Sequence, residues 1–201
     1  MTTRFRGLFT ALVTGGVLLA SMPAHAQQAY IVVKGGPYFP TATNAIDAIN
    51  QVELKWPTAY AVDLGLGAYW GILGVQLSGG YRTTGSNDLD VHTWPIVFLL
   101  RARIPLGFIA PYLEGGGGVA ISTASFDKVV SGANSSTKTA LELQGGAGVD
   151  FYLGSVILGA ELKYLWLNPE FTITHSNGVP DAVQKLNMSG ITIQAYIGYM
   201  W

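Results

Sequence analysis

The sequence contains no cysteine, and only 11% of its residues are charged, against roughly 25% in soluble domains. Without cysteine there is no disulfide framework, thiolate nucleophile or iron–sulfur site, and the absence suits a chain that crosses an oxidising compartment unfolded. Beyond residue 26 there is no run of about 18 apolar residues that would form a transmembrane helix. Mean hydropathy is nevertheless +0.34. The apolar residues are therefore dispersed, as in alternating strands that turn one face to lipid.

The first 26 residues have the pattern of an export signal. Arg4 and Arg6 form a positive region, residues 8–20 are mostly apolar, and small residues follow up to Ala26. We predict a signal peptide at 1–26, cleaved between Ala26 and Gln27, and a single domain at 27–201. Its removal leaves 9 Lys and Arg against 12 Asp and Glu, which argues against a nucleic-acid partner because such a partner requires a basic face.

Eight segments alternate between apolar and polar residues with the period of a strand. In the second segment, for example, Tyr60, Val62 and Leu64 fall on one face while Asp63 falls on the other. The predicted strands are 30–38, 59–70, 71–82, 91–104, 109–121, 140–153, 156–167 and 190–201. The 26 glycines, 10 tyrosines and 5 tryptophans fit closely packed strands with aromatic belts at membrane interfaces.

The links between these strands alternate in length. Short links at 70–71, 104–108 and 153–155 alternate with long polar links near 40–57, 83–90, 123–138 and 168–187. Outer-membrane barrels have short periplasmic turns and longer outside loops, so the long links are predicted to be extracellular. Within the first long link, residues 43–50 are predicted to form one or two helical turns capped by Thr43.

The last strand has a strongly apolar face and ends on an aromatic residue. Ile197, Tyr199 and Trp201 share one parity in this segment. Such an ending resembles the last strand of Gram-negative outer-membrane β-barrels, in which the terminal aromatic residue and the alternating residues before it signal to the barrel-insertion machinery. The resemblance therefore implies an assembly-signal role for these three residues.

Further segments carry the same resemblance. The run PYLEGGGGVA at 111–120 resembles a PY-x-x-x-G-x-G strand, and GGPYFP at 35–40 and GAELKY at 159–164 resemble other strands of the same group. The group comprises the small outer-membrane β-barrels around the OmpA barrel, OmpX, OmpW and the opacity proteins. The resemblance implies an all-β, antiparallel up-and-down transmembrane barrel of about eight strands. It implies little about function, because the group includes adhesins, stress barrels, small-solute channels and membrane anchors.

Polar and charged residues of both signs fall on the predicted inner face. Because an isolated buried charge is costly, these side chains must pair or stay hydrated. An eight-stranded barrel has an interior just wide enough for side chains to fill, so the leading prediction is a plugged lumen. A narrow conduit for ions or for small or apolar solutes is the alternative. The predicted interior network is Lys34, Asp63, Gln76, Arg82, Arg101, Glu114, Glu142, Asp150, Glu161 and Lys163, with Arg103, Tyr112 and Gln144 on the same face.

An enzyme is the third alternative. Barrel-borne lipases and lipid A deacylases use a serine with a histidine, but the sequence beyond residue 26 offers only His92 and His175, and neither has a His-x-Ser arrangement on a strand. Both histidines are predicted to lie in or beside loops, and Asp88, Asp90 and His92 make a weak metal pattern. The glycine runs at 115–118 and 145–148 lie inside strands and so do not predict a phosphate loop.

The sequence thus predicts a monomeric outer-membrane barrel with a structural or surface-interaction role, no enzymatic activity and no cofactor. Its predicted partners are outer-membrane lipid and lipopolysaccharide and, during assembly, periplasmic chaperones and the barrel-insertion machinery. No nucleic-acid partner is predicted.

Overall fold

The computed structural model describes residues 28–41, 44–46, 52–54, 58–85, 90–125, 136–174, 180–185 and 187–201. The predicted signal peptide and its cleavage site at Ala26 and Gln27 lie outside these residues. Within the described ranges, no helix is long and apolar enough to cross a membrane. Their regular structure consists of strands: β1 (Gln28–Pro40), β2 (Asn44–Ile46), β3 (Val52–Leu54), β4 (Ala59–Trp70), β5 (Leu73–Gly85), β6 (Asp90–Arg103), β7 (Ile109–Ser125), β8 (Ser136–Leu153), β9 (Val156–Leu167), β10 (Glu170–Thr174), β11 (Pro180–Lys185) and β12 (Gly190–Met200).

Eight of these strands form a closed antiparallel barrel. Their order around the barrel is β1, β12, β9, β8, β7, β6, β5 and β4, and β4 pairs with β1 again. The first and last strands close the wall in a long register that runs from Tyr30 opposite Met200 to Pro40 opposite Gly190. The predicted fold class is therefore confirmed. The short pairs β2–β3 and β10–β11 form separate two-stranded hairpins.

Three tight turns define one end of the barrel, which we call the turn end. Gly71, Gly107 and Gly154 have φ values of 64°, 80° and 67°, a conformation in which a Cβ would be strained. Two of these turns contain only two residues, because Trp70 pairs with Leu73 and Leu153 pairs with Val156. The ends of the barrel strands that border the links 41–58, 86–89, 126–135 and 168–189 lie at the opposite end, which we call the loop end. The predicted alternation of short and long links is confirmed.

Alternating side chains line an apolar outer wall and a polar interior. In β6, Trp94, Ile96 and Phe98 are about half exposed, whereas Val97 and Leu99 are buried on the other face. The predicted inward and outward parity is confirmed along each of the eight barrel strands. A one-residue slip would exchange the two faces, so this agreement fixes the register.

Two features of the links differ from the sequence prediction. The predicted helix at 43–50 is wrong where the structure describes it, because residues 44–46 are extended and pair with residues 52–54 as β2 and β3. Strands β7 and β8 also continue beyond their predicted ends, to Ser125 and from Ser136, and Ala124 still pairs with Ser136. Cross-strand pairing satisfies the backbone groups of these polar segments, whereas the prediction relied on a capping residue alone.

Candidate functional site

All ten residues of the predicted interior network lie on the inner face of the barrel. Each is at most 6% exposed, and Arg103 and Gln144 share this face. Among the described residues, the buried charged side chains are five cations and five carboxylates. The cations are Lys34, Arg82, Arg101, Arg103 and Lys163, and the carboxylates are Asp63, Glu114, Glu142, Asp150 and Glu161. The interior charge is therefore balanced.

Glu161 is the centre of this network because three cations contact it. Its Oε2 lies 2.5 Å from Lys34 Nζ and 3.4 Å from Arg101 Nη2, and its Oε1 lies 2.7 Å from Lys163 Nζ. The Tyr112 hydroxyl also donates to Oε2 over 2.8 Å. Arg101 uses its Nε for Glu114, at 2.7 Å. One carboxylate thus holds three cations from three different strands.

A second ionic cluster lies nearer the loop end. Arg82 Nη1 contacts Glu142 Oε1 at 2.8 Å, and Gln144 Nε2 donates to the same oxygen over 2.5 Å. Asp63 extends the Glu161 cluster, because its Oδ2 lies 3.8 Å from Lys163 Nζ and accepts a 2.9 Å hydrogen bond from Gln194. The sequence reasoning brought these charges to one face but assigned no partners to them.

Tyrosines line the inner face, five of them at the turn end of the lumen, and the sequence analysis identified only Tyr112 among them. Six of the ten tyrosines point inward, so the prediction that the tyrosines form outer aromatic belts is wrong for the five other than Tyr112. Tyr30, Tyr69, Tyr112, Tyr152 and Tyr196 lie at the turn end and form what we call the tyrosine layer. The sixth, Tyr38, lies near the loop end, where its hydroxyl donates to the Met188 carbonyl. Each of the six shares the parity of a polar inner-face residue, and this parity is the signal in the sequence that identifies them. Tyr60, Tyr81, Tyr164 and Tyr199 remain on the outer wall.

The guanidinium groups of two arginines pack against these tyrosine rings. Arg101 lies 4.0 Å from the centroid of the Tyr112 ring, and Arg103 lies 3.7 Å from that of Tyr69. Arg101 also donates to the Tyr69 hydroxyl over 3.2 Å. A cation over an aromatic face gains up to about 2 kcal/mol when the pair is desolvated. The arginines therefore join the ionic network to the tyrosine layer.

Asp150 lies at the base of the same layer and accepts hydrogen bonds from tyrosine hydroxyls. Tyr152 donates over 3.1 Å and Tyr69 over 3.4 Å, and Tyr196 donates to the other carboxylate oxygen. Tyr69 is on β4 and Asp150 is on β8, which are diametrically opposite strands of the eight-stranded ring. Side chains from opposite walls thus meet directly at this level.

Glycines make the room that four of these tyrosine rings occupy. The residue directly opposite Tyr30 is Gly67, and Tyr69, Tyr112 and Tyr196 face Gly74, Gly148 and Gly159 in the same way. A Cβ on Gly67 would overlap the Tyr30 ring, which supplies its three nearest atoms. The barrel interior therefore requires these glycines for packing.

Replacing Gly67 with Ala is expected to lower the free energy of unfolding by about 1–3 kcal/mol, because the added methyl group displaces the Tyr30 ring from a filled lumen. Gly35→Ala is the matched control, since a Cβ there has its nearest heavy atom at 3.9 Å. Urea titration of the folded barrel in detergent micelles measures both changes. Equal stability of the two variants would show that the tyrosine layer repacks freely.

The outer face carries the remaining predicted residues. Ile197, Tyr199 and Trp201 are 58%, 51% and 65% exposed, and the Tyr199 and Trp201 rings stack with centroids 6.2 Å apart. Their role in assembly stays a prediction. His92 lies within β6 and not in a loop, and its Nδ1 is 2.7 Å from the Tyr81 hydroxyl.

The weak metal pattern at Asp88, Asp90 and His92 remains untested. Asp88 and His175 lie outside the described residues. Within the described part of the chain, no group of three or more histidine, aspartate or glutamate side chains is placed to hold a metal ion.

Solved structures share this barrel. Neisserial surface protein A (NspA) is similar with a TM-score of 0.60 and 11% sequence identity, over 86% of this chain and 96% of that one. A major outer membrane protein from Thermus thermophilus is similar with a TM-score of 0.55 and 11% identity, over 87% of this chain and 100% of that one. No protein-family model and no curated protein matches the sequence. The chain therefore has the fold of the small outer-membrane β-barrels.

Proposed function

We propose that this chain is an outer-membrane barrel with a structural or surface-interaction role, and that its own side chains seal its lumen. The apolar outer wall supports the membrane location, because exposed large hydrophobic side chains occur on all eight barrel strands. The chain is proposed to be exported with a signal peptide at 1–26, delivered by periplasmic chaperones and inserted as a monomer. Its long links then face the outside.

The sealed lumen is supported by hydrogen bonds between side chains on strands that lie across it from one another. Arg82 on β5 reaches Glu142 on β8, three strands away, and Arg101 on β6 reaches Glu161 on β9, also three strands away. At the turn end, Tyr69 contacts Asp150 on the opposite wall. A continuous water-filled pore would separate these walls, whereas here their side chains are joined by direct hydrogen bonds at three successive levels.

One observation favours the narrow conduit as the alternative. In the cluster near the loop end, Arg82 Nε, Glu142 Oε2 and Gln144 Oε1 are buried without a hydrogen-bond partner among the described residues. Buried polar atoms of this kind are commonly satisfied by water. Water that entered from the loop end would reach this cluster, but the tyrosine layer still lies between it and the turn end.

Catalysis is proposed to be absent. An acyl-transfer site would require a histidine as its base. Of the two candidates, His92 points outward and is paired with a tyrosine hydroxyl, and His175 lies outside the described residues. The buried charges balance in number and contact one another or tyrosine hydroxyls. Both features fit a packed interior better than a reaction site.

Liposome swelling tests the sealed lumen for small neutral solutes. Proteoliposomes that contain the folded barrel are expected to swell in an arabinose solution at the rate of protein-free liposomes. A general porin, reconstituted at the same protein-to-lipid ratio, is the positive control. Swelling clearly faster than in protein-free liposomes would favour the conduit over the sealed barrel.

A further inference from the structure

A chain of hydrogen bonds joins Glu161 to Asp150 through the tyrosine layer. The Tyr112 hydroxyl lies 2.8 Å from Glu161 Oε2 and 3.1 Å from the Tyr196 hydroxyl, which in turn contacts Asp150 Oδ1. Each of the four residues is at most 5% exposed. Asp150 pairs with Gly159, two residues nearer the turn end than Glu161. This series of groups, which we call the hydroxyl chain, therefore runs along the lumen towards the turn end.

The hydroxyl chain has three oxygen–oxygen contacts but only two protons when both carboxylates are charged. A tyrosine hydroxyl carries one proton and accepts further hydrogen bonds at its lone pairs. Because charged carboxylates can only accept, the Tyr112 proton is directed to Glu161 and the Tyr196 proton to Asp150. The contact between the two hydroxyls then has no proton of its own. The chain is therefore complete only when it binds one further proton.

A proton that binds at one end of the hydroxyl chain can leave from the other end. When Asp150 binds it, the new carboxylic acid donates to Tyr196, Tyr196 donates to Tyr112, and Tyr112 donates to Glu161. Transfer of each proton along its hydrogen bond leaves Asp150 charged and Glu161 protonated. Each tyrosine gains one proton and loses one, so both stay neutral. When Glu161 releases its proton to water, it regains its three ion pairs, and the Tyr112 hydroxyl rotates back towards it.

Both ends of the hydroxyl chain adjoin groups that can exchange protons with water. At the turn end, the Tyr152 hydroxyl donates to Asp150 over 3.1 Å, and Tyr152 is partly exposed. Towards the loop end, Thr192 Oγ1 and Gln194 Oε1 are buried without a hydrogen-bond partner among the described residues. Gln194 lies directly opposite Glu161 in the register of β9 and β12. Buried atoms of this kind commonly bind water, as do those of the cluster nearer the loop end.

We propose that the hydroxyl chain relays protons through a lumen that is closed to other ions and to solutes. The passage of a hydrated metal ion would require the packed tyrosine rings to move apart, whereas a proton follows hydrogen bonds that are already formed. The relay therefore gives the barrel a permeability that a sealed lumen alone does not have. It rests on the proposed membrane location but does not depend on the surface-interaction role.

A pH step across proteoliposomes tests the relay. The vesicles contain the folded barrel, a trapped pH-sensitive dye and potassium, and valinomycin lets potassium leave to balance the charge of entering protons. After the outside is acidified, the vesicle interior is expected to acidify faster than that of protein-free vesicles treated in the same way. Tyr112→Phe keeps the ring over Arg101 but removes one link of the chain, so its rate should fall to the protein-free rate. Tyr196→Phe should have the same effect.

Tyr38→Phe is the matched control, since Tyr38 is an inward tyrosine whose hydroxyl donates to the Met188 carbonyl, outside the hydroxyl chain. It should keep the parent rate, and heat-modifiable gel migration confirms that each variant is folded. Equal rates for the parent and for protein-free vesicles would overturn the proposal, as would the parent rate in Tyr112→Phe. A potassium current that Tyr112→Phe leaves unchanged, together with a proton flux that it abolishes, would contradict only the sealed lumen.

Discussion

Replacing Glu161 with Gln is expected to lower the free energy of unfolding by ~3–5 kcal/mol, because it leaves buried cations without their common carboxylate. The amide keeps the size of the side chain but removes the charge that contacts Lys34, Lys163 and Arg101. Urea titration in micelles, followed by tryptophan fluorescence, measures the change. The loss is expected to exceed that of any single substitution elsewhere in the network.

Glu114→Gln is the matched control for this substitution. Glu114 contacts Arg101, which keeps a contact with Glu161 when Glu114 is neutralised. Its loss of stability is therefore expected to be smaller. Removing one cation as well, in the Glu161→Gln, Lys34→Met double variant, should recover part of the stability because the charge balance improves. Equal losses for Glu161→Gln and Glu114→Gln would show that Glu161 is not the centre of the network.

Replacing Leu143 with Arg is expected to cost up to roughly 2–4 kcal/mol, the penalty for a site at mid-membrane, because the new charge would face lipid. Leu143 is 47% exposed on the outer wall, between Gly117 on β7 and Trp166 on β9. Refolding into lipid vesicles at a series of urea concentrations measures the free energy of unfolding in a bilayer. A bilayer is needed because the cost of a lipid-facing charge depends on its depth, which a detergent micelle does not reproduce.

Gln144→Arg is the control one residue away on the opposite face. Gln144 is buried beside Glu142, so an arginine there gains a carboxylate partner and should cost less. Equal costs at positions 143 and 144 would indicate that neither face is lipid. A higher cost at 144 would reverse the assignment of inside and outside.

The sequence predicted the wall of this barrel better than its interior. Alternation in segments such as 59–70 fixes which side chains share a face, since successive side chains of a strand point to opposite faces. Closure of the barrel then pairs every strand on both sides, so no sheet edge is left exposed. For the same reason Lys34, Arg82 and Glu161 were placed inside from parity alone. Turn positions followed from Gly71 and Gly154, where the backbone requires a positive φ.

Contacts across the lumen could not be read from the sequence. Which carboxylate Lys34 meets depends on the stagger between strands that are distant in sequence, and Glu161 is 127 residues away. The inward tyrosines were missed for a different reason. The sequence shows on which face these tyrosines lie, but aromatic residues were attributed to the membrane belts. The pairing of Tyr30 with Gly67 also requires the register between β1 and β4, which the sequence does not give.

The strands β2 and β3 show a further limit of local reasoning. The helical turns predicted at 43–50 depended on one local signal, a threonine that could cap a helix. Pairing with residues 52–54 outweighs this preference in the described part of the link. Tertiary or cross-strand contacts commonly override such weak local signals.

Current recording from the unmodified barrel in a planar bilayer at high salt tests the central claim most directly. The claim is that balanced charges and tyrosine rings close the lumen. It predicts that insertion produces no steady conductance above the bare bilayer at moderate voltage. Steady, ohmic current steps from the folded barrel would contradict the sealed lumen and establish the conduit.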